Sequence, residues 1–270
     1  MTSKMNLKIR ELEAVVKKIG KVAIALSGGL DSSALLAFCA DKLGVDNCIA
    51  LTISAPYMMQ SETNKSEALC KKLGVKQIFV SIEISDEIKN NPPNRCYLCK
   101  KNIFSRLQQI AIEQGFSTLC DGTNADDLSD YRPGMKAIKE LGVQSPFLNS
   151  NIGKAEITDI AKQYSVEVSP AYACLLTRLE HNQTIDELAL KRIDLAEQYL
   201  KEIGFNGVRV RLHSECARIE IQKIDFNKFC QEEIFSNVSQ KMQELGFKHT
   251  ALDLSGYSRG SMNKKDETIR

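Results

Sequence analysis

With 270 residues, 43% of them hydrophobic, the chain is long enough for one large domain or a main domain with a smaller companion, and two units are expected. Thirty-six basic against 34 acidic residues leave a net charge of +2, which excludes the strong bulk footprint of a nucleic-acid binder and leaves only a local basic patch open. No apolar run approaches the ~18 residues of a membrane helix, so no membrane partner is expected.

The N-terminal stretch MTSKMNLKIRELEAVVKKIG reads as a charged amphipathic helix without a signal-peptide core, and a cytoplasmic location is expected. Nine cysteines, an odd number, then argue for thiols acting as ligands, nucleophiles or core filler rather than disulfides. Cys39, Cys48, Cys70 and Cys120 sit in apolar helix or strand patterns and read as filler. Residues 22–26, VAIAL, form a buried-strand run; SGGLDSS follows as a tight turn and ALLAFCADKLG as a helix. Strand-like runs recur at 47–54, 75–82 and 116–124, with helical patterns at 61–73 and 97–114. That alternation predicts an α/β fold: a parallel sheet covered by helices, with ligands at the carboxyl ends of its strands.

In the turn after the first strand, Gly28 and Gly29 remove side chains that would hold a phosphate off the backbone, and the following helix offers unpaired N–H groups at its positive dipole end. Ser27, Ser32 and Ser33 add hydroxyls. A lone GG ahead of a helix cap is by itself only a turn, and no Walker A lysine follows it. The complete SGGLDSS, however, resembles the pyrophosphate loop of the PP-loop ATP pyrophosphatase superfamily (adenine nucleotide α hydrolase-like). That resemblance implies cleavage of ATP between the α and β phosphates, transfer of AMP to a substrate oxygen and displacement of AMP by a nucleophile. Asp31 and the second acidic stretch DGTNADD are then the expected contacts for nucleotide and Mg2+, since two carboxylates facing a triphosphate need a cation between them. Asp121 reads as the structural member and Asp126 or Asp127 as the exposed one, against a plain polar turn. Lys154, at the start of GKAEITDIAKQYSV, either reaches a phosphate as a point charge or is a solvated helix-start lysine.

The stretch NPPNRCYLCKKN places Cys96 and Cys99 three positions apart at the start of a helix, and SPAYACLLTRLEHNQTI places Cys174 in a loop near Thr177 and Arg178. SGGLDSS, DGTNADDLSDYRPGMKAIKELGVQSPF, GKAEI, AYACLLTRL and VRVRLHSECARIEI together, in order and at matching separations from about residue 10 to 222, resemble the LarE family of ATP-dependent sulfur insertases. The resemblance implies adenylation of the carboxylates of pyridinium-3,5-biscarboxylic acid mononucleotide and their conversion to thiocarboxylates, in building a nickel-pincer nucleotide cofactor. Members with one cysteine, at the position of Cys174, sacrifice its sulfur. This chain departs from that pattern by adding Cys96 and Cys99. A structural zinc wants four ligands, and neither a second CxxC nor a histidine pair is present. Three thiolates on a [4Fe-4S] cluster leave one iron open for an added sulfide, and the resemblance favours that reuse of the protein over sacrifice of Cys174. Arg95 and Lys100 would offset the negative charge there.

Beyond Cys174 the pattern predicts a helix ending at Gly204, strands in GVRVRLHSE and ARIEIQ, a helix over about 227–245 and a closing strand in HTALDLSGYSRGS. This αββαβ order marks a small α+β domain, dividing the chain at 1–175 and 176–270. Alternation puts Arg209 and Arg211 on one strand face, suited to a substrate phosphate or carboxylate or simply solvated. By the resemblance, Glu197 and Glu220 belong to the same substrate site, and the protein forms a homo-oligomer. The polar end of the chain is expected to fray. Competing functions are a tRNA thiolase, an amidating ligase and a noncatalytic iron–sulfur or zinc module.

Overall fold

The computed structural model describes residues 3–129, 134–168 and 173–258. Parts of two family-like stretches, residues 130–133 and 171–172, and the end of the chain expected to fray lie outside them. The described chain divides into two compact units, one of residues 1–88 and 94–172, the other of 89–93 and 173–270.

The first unit carries the expected parallel sheet. Helix α1 (Ser3–Ile19) precedes β1 (Val22–Ala25), α2 (Leu30–Leu43), β2 (Cys48–Ser54), α3 (Gln60–Leu73), β3 (Lys76–Ser81), α4 (Arg95–Glu113) and β4 (Thr118–Cys120); α5 (Gly134–Glu140), α6 (Pro146–Asn149) and α7 (Lys154–Gln163) follow. The strand order is β3-β2-β1-β4, all parallel. Chain order therefore reverses beside β1: the next strand in sequence lies on one side and β4 on the other. The loops after β1 and β4 meet at that switch point, where doubly wound sheets bind ligands. VAIAL and CIALTIS are buried on both faces, as crossover helices require, and Leu12, Val16, Leu35, Leu36, Phe38, Phe147, Ile157 and Ile160 close the core around them. Cys39, Cys48, Cys70 and Cys120 all lie in this core. Burial pushes the Cys48 thiol up to about 11 and those of Cys70 and Cys120 up to about 12, so these thiols stay protonated at neutral pH.

Helix α4 begins at Arg95, two residues earlier than the periodicity of 97–114 suggests, so Cys96 and Cys99 lie inside its first turns. The second unit contains α8 (Glu187–Glu202), β5 (Arg209–His213), β6 (Cys216–Glu220), α9 (Phe226–Phe229), α10 (Glu232–Glu244) and β7 (His249–Leu252). Its sheet runs β5-β6-β7, with β5/β6 antiparallel and β6/β7 parallel. The helix expected over 227–245 is broken in two around Cys230 and Gln231. Segment 89–93 belongs here because the Asn91 amide nitrogen donates to the carbonyls of Glu180 at 2.7 Å and Leu179 at 3.4 Å. Among the described residues no helix is long and apolar enough to cross a membrane.

Candidate functional site

Where β1 ends, Gly28 has φ +82°, and a Cβ there would stand 2.1 Å from the Glu62 carbonyl oxygen of α3, so only glycine fits. Gly29 caps α2 without a side-chain hydrogen bond. The hydroxyls of the loop fix its own shape: Ser32 Oγ lies 3.1 Å from Ser27 Oγ and donates to the Gly29 carbonyl at 3.2 Å, while the Ser27 and Gly29 N–H groups bond Ser32 Oγ and Ser27 Oγ. Ser32 and Ser33 are buried and Ser27 is exposed. The loop thus presents backbone at the positive end of a 14-residue helix, a cradle for phosphate oxygens.

The loop after β4 packs directly on that cradle. A Cβ on Gly122 would meet Ser32 N at 2.8 Å, which makes Gly122 the contact that sets the two loops together. Asn124, fully buried, then links their carboxylates: its side-chain nitrogen donates to Asp31 Oδ2 at 3.2 Å and to Asp127 Oδ2 at 3.1 Å, and its side-chain oxygen accepts from Asp126 N at 3.1 Å. Lys154 Nζ forms an ion pair with Asp31 Oδ2, and its backbone N–H donates to Asp126 Oδ2 at 2.7 Å. Asp31, Asp126 and Lys154 therefore meet in one place. Asp121 is structural, accepting from Ser145 Oγ at 2.6 Å and from Thr123 Oγ1. Asp126 is the exposed carboxylate, and Asp127, 3% exposed, is the buried one. Gly122 and Asn124 escaped the sequence reading; the GTN within the acidic stretch was their only signal.

Cys96 and Cys99 are half-buried, unlike the filler thiols, and the Cys99 thiol lies 3.6 Å from the hydroxyl of the buried Tyr57 as its donor. Arg95, only 4% exposed, has neither Nε nor Nη1 hydrogen-bonded. Lys100 sits with its ammonium 5.7 Å from the Phe104 ring. Two thiols one helical turn apart have the donor chemistry for two positions on an iron–sulfur group. Among the described residues no three His, Cys, Asp or Glu side chains are gathered as a metal site.

Cys174 belongs to the second unit and is half-buried. Arg178, wholly buried, fixes the backbone around it: Nη1 donates to the carbonyls of Ala173 at 2.9 Å and Cys174 at 3.3 Å, while Nε and Nη2 grip Glu197 at 2.8 and 2.9 Å. Burial alone would raise the Glu197 pKa, but the charge and hydrogen bonds of Arg178, with Arg209 beyond, hold it below the usual carboxylate value. Arg209 and Arg211 do share a strand face, and of the two alternatives for it the solvated one is not found: they are 4% and 5% exposed, and Val208 and Val210 opposite are 0%. Arg211 bonds Glu220 at 2.9 Å and the Thr177 carbonyl at 2.7 Å. Arg209 bonds the Val208 carbonyl at 2.8 Å and stacks 5.0 Å over the Tyr257 ring. Burial, and after it the neighbouring Arg178 charge, lowers the Arg209 pKa, with Glu197 opposing them. Glu197 and Glu220, expected at the substrate, have no exposed surface and are engaged with these arginines. Arg218 reaches Glu220, Asp253 and His213 Nε2.

A family model described as NAD synthase matches residues 5–125. An uncharacterized protein of Synechocystis is 34% identical over 96% of this chain and 98% of its own length. The pyridinium-3,5-bisthiocarboxylic acid mononucleotide synthase of Lactiplantibacillus plantarum is 33% identical over 93% of this chain and 92% of its own. A probable tRNA sulfurtransferase of Methanothermobacter thermautotrophicus is more distant, 27% identical over 57% of this chain and 43% of its own.

Proposed function

The chain belongs to the LarE family of sulfur insertases in the PP-loop superfamily, and from that membership we propose that it makes pyridinium-3,5-bisthiocarboxylic acid mononucleotide from the biscarboxylic acid nucleotide. The enzyme is an ATP-dependent sulfurtransferase. The observation that carries the reading is the constellation at the switch point: a glycine loop that admits no Cβ, abutted by Asp31, Asp126 and Lys154.

The substrate carboxylate attacks the α-phosphorus of ATP, the α–β anhydride bond breaks, and pyrophosphate leaves on the loop from Ser27 to Ser33. Asp31 and Asp126 are placed to hold Mg2+ against the phosphates, and Lys154 exchanges its Asp31 partner for a phosphate oxygen. A sulfur anion then attacks the acyl carbon, and AMP departs with the original carboxylate oxygen. Each ATP thus exchanges one oxygen for one sulfur, and a product with two thiocarboxylates takes two cycles. Arg209 and Arg211 receive the nucleotide phosphate, and Glu197 and Glu220 act through the arginines they hold in place. Cys96, Cys99 and Cys174 are the candidate thiols for carrying the sulfur. When bound there, a three-thiolate [4Fe-4S] cluster supplies an open iron for an added sulfide. The half-buried pair on α4, set apart from four inert core thiols, supports that reading. The enzyme works in the cytoplasm on a small-molecule nucleotide, as a homo-oligomer; the shorter match to the tRNA sulfurtransferase favours this substrate over tRNA.

The test is anaerobic turnover with ATP, Mg2+, the biscarboxylic nucleotide and sulfide. One AMP and one pyrophosphate per thiocarboxylate are expected, with Cys96→Ala still releasing AMP but losing repeated sulfur insertion. Thiolation of tRNA with no product from the nucleotide would overturn the substrate, and many turnovers by Cys96→Ala would overturn the role of the thiols.

A further inference from the structure

Every other nearly buried arginine in the two sites has acceptors: Arg178 has Glu197, Arg211 has Glu220, and Arg209 has backbone carbonyls. Arg95 does not. It is 4% exposed, and its Nε and Nη1 are buried without a hydrogen bond. Buried guanidinium N–H groups left unmade weaken the fold, and native structures keep such groups where a ligand completes them. The surroundings add to the positive potential. Arg95 is the first residue of a 19-residue helix whose first turn holds no acidic residue and whose N-cap, Asn94, makes no side-chain bond. Four positions on, and so on the same face, comes Cys99; Cys96 is the next residue. A buried cation and two half-buried thiols thus share the first turns of one helix, and among the described residues no ion pair engages Arg95.

Resting on the sulfur-transfer reading above, we infer that Arg95 is an anion receptor for the transferable sulfur, holding it as hydrosulfide anion through its Nε and Nη1 N–H groups, next in sequence to Cys96. This gives the empty-handed protein a defined cost that loading removes. It keeps the sulfur charged and desolvated, hence nucleophilic toward the acyl carbon, and it makes Arg95 a specificity element for anionic sulfur over water.

The test separates this role from packing. In protein free of iron and ATP, Arg95→Met removes an unmatched cation while keeping bulk, so its Tm is expected to rise by about 2–4 °C. Sodium hydrosulfide, the probe, raises the Tm of wild type but not of Arg95→Met. In turnover, thiocarboxylate formed per AMP falls roughly tenfold to a hundredfold, the range for a lost charge-assisted hydrogen bond, and Arg95→Lys recovers part of it. A Tm that falls in Arg95→Met, with thiocarboxylate per AMP unchanged, makes Arg95 a packing residue and overturns the inference. Wild type that forms no thiocarboxylate under any condition overturns the sulfur-transfer reading instead.

Discussion

Removing the carboxylate of Glu197 tests how Cys174 is held. In Glu197→Leu the wholly buried Arg178 loses both arms of its fork, the 2.8 and 2.9 Å bonds, and the Val210 N–H loses its 3.0 Å acceptor. A charge stranded in this way costs about 3–5 kcal/mol. The double variant Arg178→Met/Glu197→Leu removes both charges and should return to within about 2 kcal/mol of wild type, since apolar replacement of a buried pair is close to neutral. The Ala173 and Cys174 carbonyls stay without their donor in the double variant, so sulfur insertion remains low although the fold recovers. Hydrogen exchange of the β5 amides reads the stability: at about 1.4 kcal/mol per tenfold, the single variant should speed exchange by roughly two to three and a half orders of magnitude. A single variant within about 1 kcal/mol of wild type, or a double variant as unstable as the single, would refute the argument.

Gly28→Ala should abolish AMP formation, because its Cβ would collide with the Glu62 backbone oxygen at a φ of +82°; near-normal pyrophosphate release by this variant would show that the loop can move. Asn124→Ala should lower Mg2+ affinity, read by calorimetry with ATP, by up to about thirtyfold, since two hydrogen bonds tying Asp31 to Asp127 are lost at about 1 kcal/mol each. The depressed Glu197 pKa gives stability that is complete above its unfolded value of 4.5 and lost as pH falls through the lower folded value. Acid unfolding of the second unit, followed by circular dichroism, should accordingly lose part of its steepness in Glu197→Gln.

Much of the first unit was legible because its signals are local. A buried run, SGGLDSS and a helical pattern fix strand, loop and helix whatever the remainder does, and apolar surroundings identified the four filler thiols. The contacts that complete the site were not legible. Gly122 and Asn124 matter only because β4 lies beside β1 rather than beyond β3, and strand order is decided by packing between distant segments. Alternation at residues 208–211 puts the arginines on one face, open either to substrate or to solvent. Both faces are covered, and the arginines are accommodated inside because carboxylates and carbonyls from α8, β6 and the Thr177 turn meet them. Arg95 is placed by sequence beside Cys96, but its buried, unmatched N–H groups could be seen only once α4 was found to start at that residue.

The most direct test of repeated sulfur insertion is to supply ³⁴S-labelled sulfide with ATP and the biscarboxylic nucleotide under anaerobic conditions, and to count labelled thiocarboxylate per chain while weighing the Cys174 peptide. The account predicts labelled product well beyond one sulfur per chain with Cys174 intact. Unlabelled product, at most one sulfur per chain, with Cys174 converted to dehydroalanine, would contradict it and make the cysteine itself the donor.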